Sequence, residues 1–84
     1  MSRPYPIEIL DQEEMMFYYP AELSSSIGAM MQIAYGTLST EARCYPHPEG
    51  KNIISIPKKI AKALRIPKLD GPLHLFQTEH TLHL

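Results

Sequence analysis

The 84-residue sequence has one cysteine, no tryptophan and no apolar run long enough to span a membrane. Cys44 alone cannot form a disulfide within the chain, and no pair of cysteines with zinc-binding spacing exists. The first residues, Met1 to Pro6, lack the apolar core of a signal peptide. We therefore expect an intracellular protein in a reducing compartment, without contact with a membrane.

Charge of either sign is not in large excess, because 8 Lys and Arg residues face 9 Asp and Glu residues. With 44% hydrophobic residues, this composition is typical of one globular domain, and the length is too small for a self-contained nucleotide-binding enzyme. The balance hides an asymmetry, since residues 1–42 hold one basic and six acidic residues, whereas residues 43–84 hold seven basic and three acidic ones. Either the halves attract each other or one face is polarised toward a partner.

Eight prolines divide the chain into segments that are mostly too brief for long helices. Apolar and alternating runs predict short strands at 5–10, 15–19, 30–35, 40–45 and 52–56, with two more around 73–75 and 82–84. The run 15–19 is apolar throughout, which predicts a strand buried on both faces. Short helices are predicted over 21–27 and 58–66, each beginning after a proline. The segment 46–50 is the clearest loop.

The second half of the sequence repeats the pattern of the first. With an offset of 37 residues, MFYYPAELSSSI (16–27) aligns with IISIPKKIAKAL (53–64), and residues 31–33 align with 73–75 at an offset of 42. Neither half-unit can bury its own apolar face. We therefore predict an all-β fold with two short helices, in which half-repeats of about 5–45 and 46–84 close one small pseudo-twofold barrel domain over residues 1–84.

The second half also resembles a known structural unit. Its strand ending in Ile56-Pro57, its basic helix and the hairpin of residues 73–84 are similar to the AbrB-like swapped-hairpin unit. Two copies of that unit intertwine into a barrel related to the double-psi β-barrel. With both copies in one chain, the resemblance implies a fused double-psi or cradle-loop barrel and a monomer.

The whole arrangement, ending in Leu82-His83-Leu84, resembles the amino-terminal domain of the YheC/YheD family of endospore coat-associated proteins, whose later region is similar to ATP-grasp enzymes. The resemblance covers residues 15–84 and implies a non-catalytic recognition or assembly domain, cytoplasmic or spore-associated. Its expected partners are proteins, either its own C-terminal ATP-grasp-like region or coat components. A substrate-presenting role, as in the double-psi barrel domains of protein-unfolding ATPases, is a third interpretation.

DNA binding by an AbrB-like transcription regulator is the alternative function that the resemblance implies. The contacts would come from the basic helix, through Lys58, Lys59, Lys62 and Arg65. The aligned residues of the first half are Ala21, Glu22, Ser25 and Gly28, so half of a symmetric cationic surface is missing. We therefore expect weak, salt-sensitive DNA binding, and a solvated helix face is the simpler interpretation.

Nothing in the sequence predicts catalysis, a cofactor or a metal site. His74, His80 and His83 are close in sequence, but alternation along a strand separates their faces and no closed ligand set is evident. Cys44 and His47 lie at a proline-rich loop without a third orienting group, so a buried inert thiol is favoured. The Asp-Thr/Ser-Gly, Gly-Ser and glycine-rich phosphate motifs of related barrels and nucleotide sites are absent.

The methionine and tyrosine content has two interpretations. These side chains fill a small barrel core, or they form an adaptable binding surface. We expect them in the core, at Met15, Met16, Tyr18, Tyr19, Met30, Met31 and Tyr35.

Overall fold

A computed structural model describes residues 3–23, 29–67 and 71–84. Within these ranges the chain forms eight strands, one short 3₁₀ helix (Ala21–Leu23) and one α-helix, α1 (Lys58–Ala63). The strands are β1 (Arg3–Tyr5), β2 (Ile7–Leu10), β3 (Met16–Tyr19), β4 (Met30–Tyr35), β5 (Leu38–Pro46), β6 (Ile54–Pro57), β7 (Leu73–Gln77) and β8 (Thr81–His83). No helix in the described ranges has the length and apolar content that crossing a membrane requires.

The strands form one sheet in the order β1-β7-β8-β4-β5-β3-β6-β2, which is nearly closed into a barrel. The predicted all-β barrel is confirmed. The two outermost strands of this order, β1 and β2, are consecutive in the chain and joined at Pro6. The single strand predicted over 5–10 is therefore wrong. Pro6 has no N–H for a ladder, and the chain changes partner there from β7 to β6.

The pairing registers repeat with the offset of 37 that the sequence shows. β2 pairs with β6 in parallel through Ile7 and Ile54, and β3 pairs with β5 in parallel through Phe17 and Cys44. Ile7 and Cys44 are 37 positions apart, as are Phe17 and Ile54. The two parallel pairs are thus the same arrangement, made once within the first half of the chain and once between the two halves.

The pseudo-twofold axis passes between β3 and β6. These strands pair antiparallel through Tyr18 and Ser55, which are again 37 positions apart, so a residue pairs with its own equivalent. On the other side of the barrel, the equivalent strands are β4 and β7, and β8 lies between them. β8 runs parallel to β4 and antiparallel to β7, although these two strands are equivalent. Among the described strands, β8 is therefore the one that breaks the pseudo-twofold symmetry.

The β4–β5 and β1–β7 pairs extend the correspondence. Ala42 of β5 pairs with Met31 of β4, and Tyr5 of β1 pairs with Leu73 of β7. The first members of these pairs are 37 positions apart and the second members 42, as in the sequence alignment. β5 runs without a break from β4 to β3, whereas its equivalent is divided into β1 and β2 by Pro6. The limits of about 5–45 and 46–84 for the half-repeats stay a prediction.

Apolar side chains from both halves fill the interior of the barrel. Phe17 and Ile54, which stand at equivalent positions, are both fully buried. The other fully buried residues include Ile33, Ile56, Ile60 and Leu82. Cys44 lies in the same cluster. With one contiguous core, each half relies on the other for burial.

The two predicted helices differ from their predictions. α1 ends at Ala63 rather than at residue 66, because the backbone turns at Arg65, whose φ is 54°. The Ile66 N–H donates to the Ala61 carbonyl at 2.9 Å, which closes the helix end with a left-handed residue. The helix predicted over 21–27 begins as a 3₁₀ turn over Ala21–Leu23, and the rest of that prediction lies outside the described residues.

Candidate functional site

The first of the predicted DNA-contacting cations, Lys58, forms an ion pair with another residue of the barrel. Its ammonium group lies 2.9 Å from a carboxylate oxygen of Asp11, and this hydrogen bond and charge hold the pKa of Asp11 below its ordinary value. The pair lies at the surface, with the two side chains 40% and 91% exposed, and directs Lys58 toward the loop after β2.

The other predicted cations, Lys59, Lys62 and Arg65, are exposed at α1 and its end. Lys59 and Lys62 are three positions apart and lie on one side of the helix. Within the described parts of the chain, none of the three forms an ion pair. They form a small basic patch in the second half of the chain.

The first half does not repeat this basic patch. Ala21 and Glu22 stand at the positions equivalent to Lys58 and Lys59. The Tyr5 hydroxyl donates a hydrogen bond to the Glu22 carboxylate, and the Glu22 backbone N–H donates to the side-chain oxygen of Asn52 at 3.0 Å. A carboxylate therefore occupies the place where a symmetric DNA contact needs a cation.

Cys44 and His47 are not brought together as a catalytic pair. Cys44 is 2% exposed and faces the core, and burial raises the pKa of its thiol to about 11. His47 is three positions further along, so extended backbone directs it to the other face. Its Nδ1 accepts a hydrogen bond from the Glu49 N–H at 3.3 Å, and its ring lies 6.1 Å from that of Tyr18. The prediction of a buried thiol is confirmed.

The remaining histidines differ in their exposure. His74 and His80 are exposed, whereas His83 is half-buried with its ring 5.7 Å from that of Phe76. In the described ranges no three His, Cys, Asp or Glu side chains are grouped as a metal site requires.

The most distinctive surface lies on the outer face of β3, β4 and β5. Arg43 of β5 pairs with Met16 of β3 on one side and with Met30 of β4 on the other, so the three side chains form a row. Two residues further along β5, Tyr45 pairs with Tyr18. We call these five residues the Arg43 patch. Their neighbours along β5, Ala42 and Cys44, are buried, as alternation along a strand requires.

The Arg43 patch is open to solvent and contains a shallow groove. Met30 is 50% and Tyr45 44% exposed, whereas Met16 and Tyr18 are half-buried. The groove has a volume of ≈ 310 Å³ and is lined by Glu14, Met15, Met16, Arg43 and Tyr45. The prediction that the methionines and tyrosines fill the core is right for Met31 and Tyr19 and wrong for Met30. The strand prediction of burial on both faces is also wrong at the outer face of β3.

A second groove lies between the start of β2 and the residues just before β7. It has a volume of ≈ 400 Å³ and is lined by Pro6, Ile7, Gly71 and Pro72. Pro6 is the equivalent of Arg43, and Pro72 is the equivalent of Met30. We call it the Pro6 groove. The two grooves thus share one equivalent lining position, which holds the flexible Arg43 in one groove and the rigid Pro6 in the other.

Sequence reasoning missed the Arg43 patch, because it placed Met16, Tyr18 and Met30 in the core. Alternation over 40–45 places Arg43 and Tyr45 on one face of a strand, which is the available signal. It does not reveal that β5 pairs with both β3 and β4, which is what adds Met16 and Met30.

No protein-family model, curated protein or solved structure matches the chain. The side chains and their arrangement are therefore the basis on which a function is assigned.

Proposed function

We propose that this chain is a non-catalytic recognition domain that binds another protein through the Arg43 patch. The observation that supports this is the row of Met16, Arg43 and Met30 beside Tyr18 and Tyr45 on one outer face. Tyrosine, methionine and arginine are enriched at the centres of protein interfaces, where a few such side chains provide most of the binding energy.

Each residue type in the patch has a property that favours recognition. The thioethers of Met16 and Met30 are flexible and polarisable, so they adapt to a partner's shape. The rings of Tyr18 and Tyr45 present a large area and lose few torsions on binding. The Arg43 guanidinium forms no ion pair among the described residues, so its donors are available to a partner's oxygens.

The patch rests on a rigid support. Its side chains project from three hydrogen-bonded strands whose opposite faces pack into the core through Phe17, Ala42 and Cys44. A surface held by strands loses less conformational freedom on binding than a loop does. This architecture suits a preformed docking face.

Selection from a displayed random peptide library tests the proposal. We expect peptides to be enriched on the immobilised chain and lost on a Tyr45→Ser, Met30→Ser variant, whose exposed substitutions leave the core intact. The matched control is His74→Ser, an exposed change on β7. Enrichment of peptides that bind all three proteins equally would contradict a role for the patch.

The endospore resemblance supplies the partners within this proposal. They are a C-terminal ATP-grasp-like region of the same protein or a component of the spore coat. The deciding observation is whether the reading frame of the gene continues past Leu84 into ATP-grasp-like sequence. If it does, binding of that separately produced region to the barrel and to the Tyr45→Ser, Met30→Ser variant is the next measurement.

DNA binding through Lys59, Lys62 and Arg65 is the alternative, favoured by their exposure and by the absence of ion pairs to them in the described ranges. Titration of duplex DNA at low and physiological salt separates the two functions. We expect weak binding at low salt that disappears at physiological salt. Tight binding that survives, and that Lys59→Gln with Lys62→Gln removes, would favour the regulator.

A further inference from the structure

Three exposed carboxylates surround the Arg43 patch. Glu14 lines the groove itself. Glu41 lies two positions before Arg43 on β5 and therefore faces the same way. Glu8 is exposed on β2, two strands away from Tyr18, and its carboxylate accepts a hydrogen bond from the hydroxyl of the buried Ser55 at 3.4 Å. The apolar and aromatic centre thus has two adjacent carboxylates, Glu14 and Glu41, and a third, Glu8, further out, which together form an acidic rim.

The negative charge of this rim is not neutralised within the described residues. The ion pairs there join Lys51 to Glu49, Lys58 to Asp11 and His80 to Glu79, and none includes a rim carboxylate. Arg43 at the centre offsets one of the three charges. A partner that approaches this face therefore meets a negative potential, which favours cationic groups and repels phosphate.

We infer that the Arg43 patch binds an extended segment of another protein in which an apolar side chain is flanked by lysine or arginine. This inference rests on the proposed function and adds the chemistry of the partner. The apolar side chain enters the ≈ 310 Å³ groove between Met15, Met16 and Tyr45, and the flanking cations face Glu14, Glu41 and Glu8. The groove is at the small end of ligand pockets, which suits a side chain better than a cofactor.

The Pro6 groove provides an internal comparison for this inference. It is lined by Pro6, Ile7, Gly71 and Pro72, so no charged side chain lines it and its prolines do not change shape. Of these two grooves, the one at Arg43 therefore combines adaptable apolar side chains with an acidic rim. We expect the peptide to bind the groove of the Arg43 patch in preference to the Pro6 groove of the same molecule.

Three synthetic peptides of equal length test the inference. They share a central leucine in a Ser/Gly background and differ in carrying lysine, glutamine or glutamate on both sides of it. Fluorescence anisotropy measures their affinity at low and at high salt. At low salt we expect about fivefold tighter binding of the lysine peptide than of the glutamine peptide, with the glutamate peptide weakest, and convergence at high salt.

Variants of the barrel assign the effect to the rim. Glu14→Gln with Glu41→Gln is expected to weaken the lysine peptide about fivefold and to leave the glutamine peptide unchanged. Tyr45→Ser is expected to weaken all three peptides by the same factor. Pro72→Ser, an exposed change in the Pro6 groove, is the matched control and is expected to change none of the affinities.

The outcomes separate this inference from the proposed function. Equal affinity of the three peptides together with dependence on Tyr45 overturns the acidic-rim inference and leaves the recognition function standing. Loss of binding in Pro72→Ser rather than in Tyr45→Ser assigns the site to the Pro6 groove and overturns the inference. Failure of all three peptides to bind, with no peptide enriched in the library selection, overturns both.

Discussion

The two halves of the barrel share their pairing registers but differ on their outer faces. Ile7 with Ile54 and Phe17 with Cys44 form the same inward arrangement. Outside, Arg43 faces solvent where its equivalent is Pro6. The inward residues are constrained because they share one core, whereas outward residues are free to change. In the function that we propose, this difference is the reason that the recognition face occurs once.

The ends of the two helical segments show the same division. Ile60 and its equivalent Leu23 both pack on the core, whereas Lys59 and its equivalent Glu22 carry opposite charges. Because both charged residues lie outside the core, the exchange of one charge for the other leaves the core packing unchanged. A symmetric frame is therefore compatible with an asymmetric electrostatic surface.

Truncation of equivalent core residues has the largest expected effect and tests whether the halves unfold together. Phe17 and Ile54 are both 0% exposed. We expect Phe17→Ala to lower the free energy of unfolding by about 3–5 kcal/mol and Ile54→Ala by about 2–5 kcal/mol. Urea unfolding followed by circular dichroism should show one transition in each variant, and two separated transitions would break the comparison.

Proline at residue 43 makes β5 resemble its divided equivalent. Arg43→Pro removes the N–H that donates to the Met15 carbonyl at 3.3 Å, and we expect a loss of about 1–3 kcal/mol in unfolding free energy. Arg43→Ala keeps the N–H and is expected to change stability by less than about 0.5 kcal/mol. Equal losses in both variants would show that the continuity of β5 is not what matters.

Glycine at residue 65 makes the end of α1 resemble the first half, where the aligned residue is Gly28, which lies outside the described residues. Because Arg65 has a φ of 54°, we expect Arg65→Gly to raise the thermal midpoint and to stabilise the fold by about 0.5–1 kcal/mol. Arg65→Ala removes the same charge and keeps the strained backbone. A gain as large with alanine would point to charge instead of conformation.

The Asp11–Lys58 ion pair has the smallest expected effect, seen only in its pH dependence. Since the folded pKa of Asp11 lies below its unfolded value, the carboxylate adds stability above about pH 4, which is lost as pH falls through the folded pKa. The urea midpoint, measured at low salt as the pH is lowered, should fall less steeply in Asp11→Asn than in the unchanged protein. Lys58→Gln should give the same flattening, and a further flattening in the double variant would contradict this pairing.

The repeat could be predicted from the sequence because it lies in the buried pattern. The apolar strands before Pro20 and Pro57 align without a gap, and the offset between them is the one that relates the registers. Strand ends were less predictable. The predicted strand 52–56 begins two residues later, at Ile54, and includes Pro57, which sits at the end of β6 where it replaces no needed donor.

The candidate site was less predictable than the fold because it depends on which strands become neighbours. Met30 follows the helical segment and looks like a core residue in an apolar run, yet its pairing with Arg43 turns it outward. The ion pair of Lys58 joins residues 47 positions apart, which no local pattern reveals. The sequence shows which side chains are present, but the closed sheet determines which of them become neighbours.

The position of β8 limits how such a barrel can be assembled. β8 occupies the single space between β4 and β7, and Leu82 within it is fully buried. In a dimer of two identical half-length chains, both copies of this strand would compete for that one space, and one copy would be displaced with its leucine in water. Joining both halves in one polypeptide leaves one β8 for one vacancy, so the ratio of strand to space is set by the covalent chain rather than by chance association.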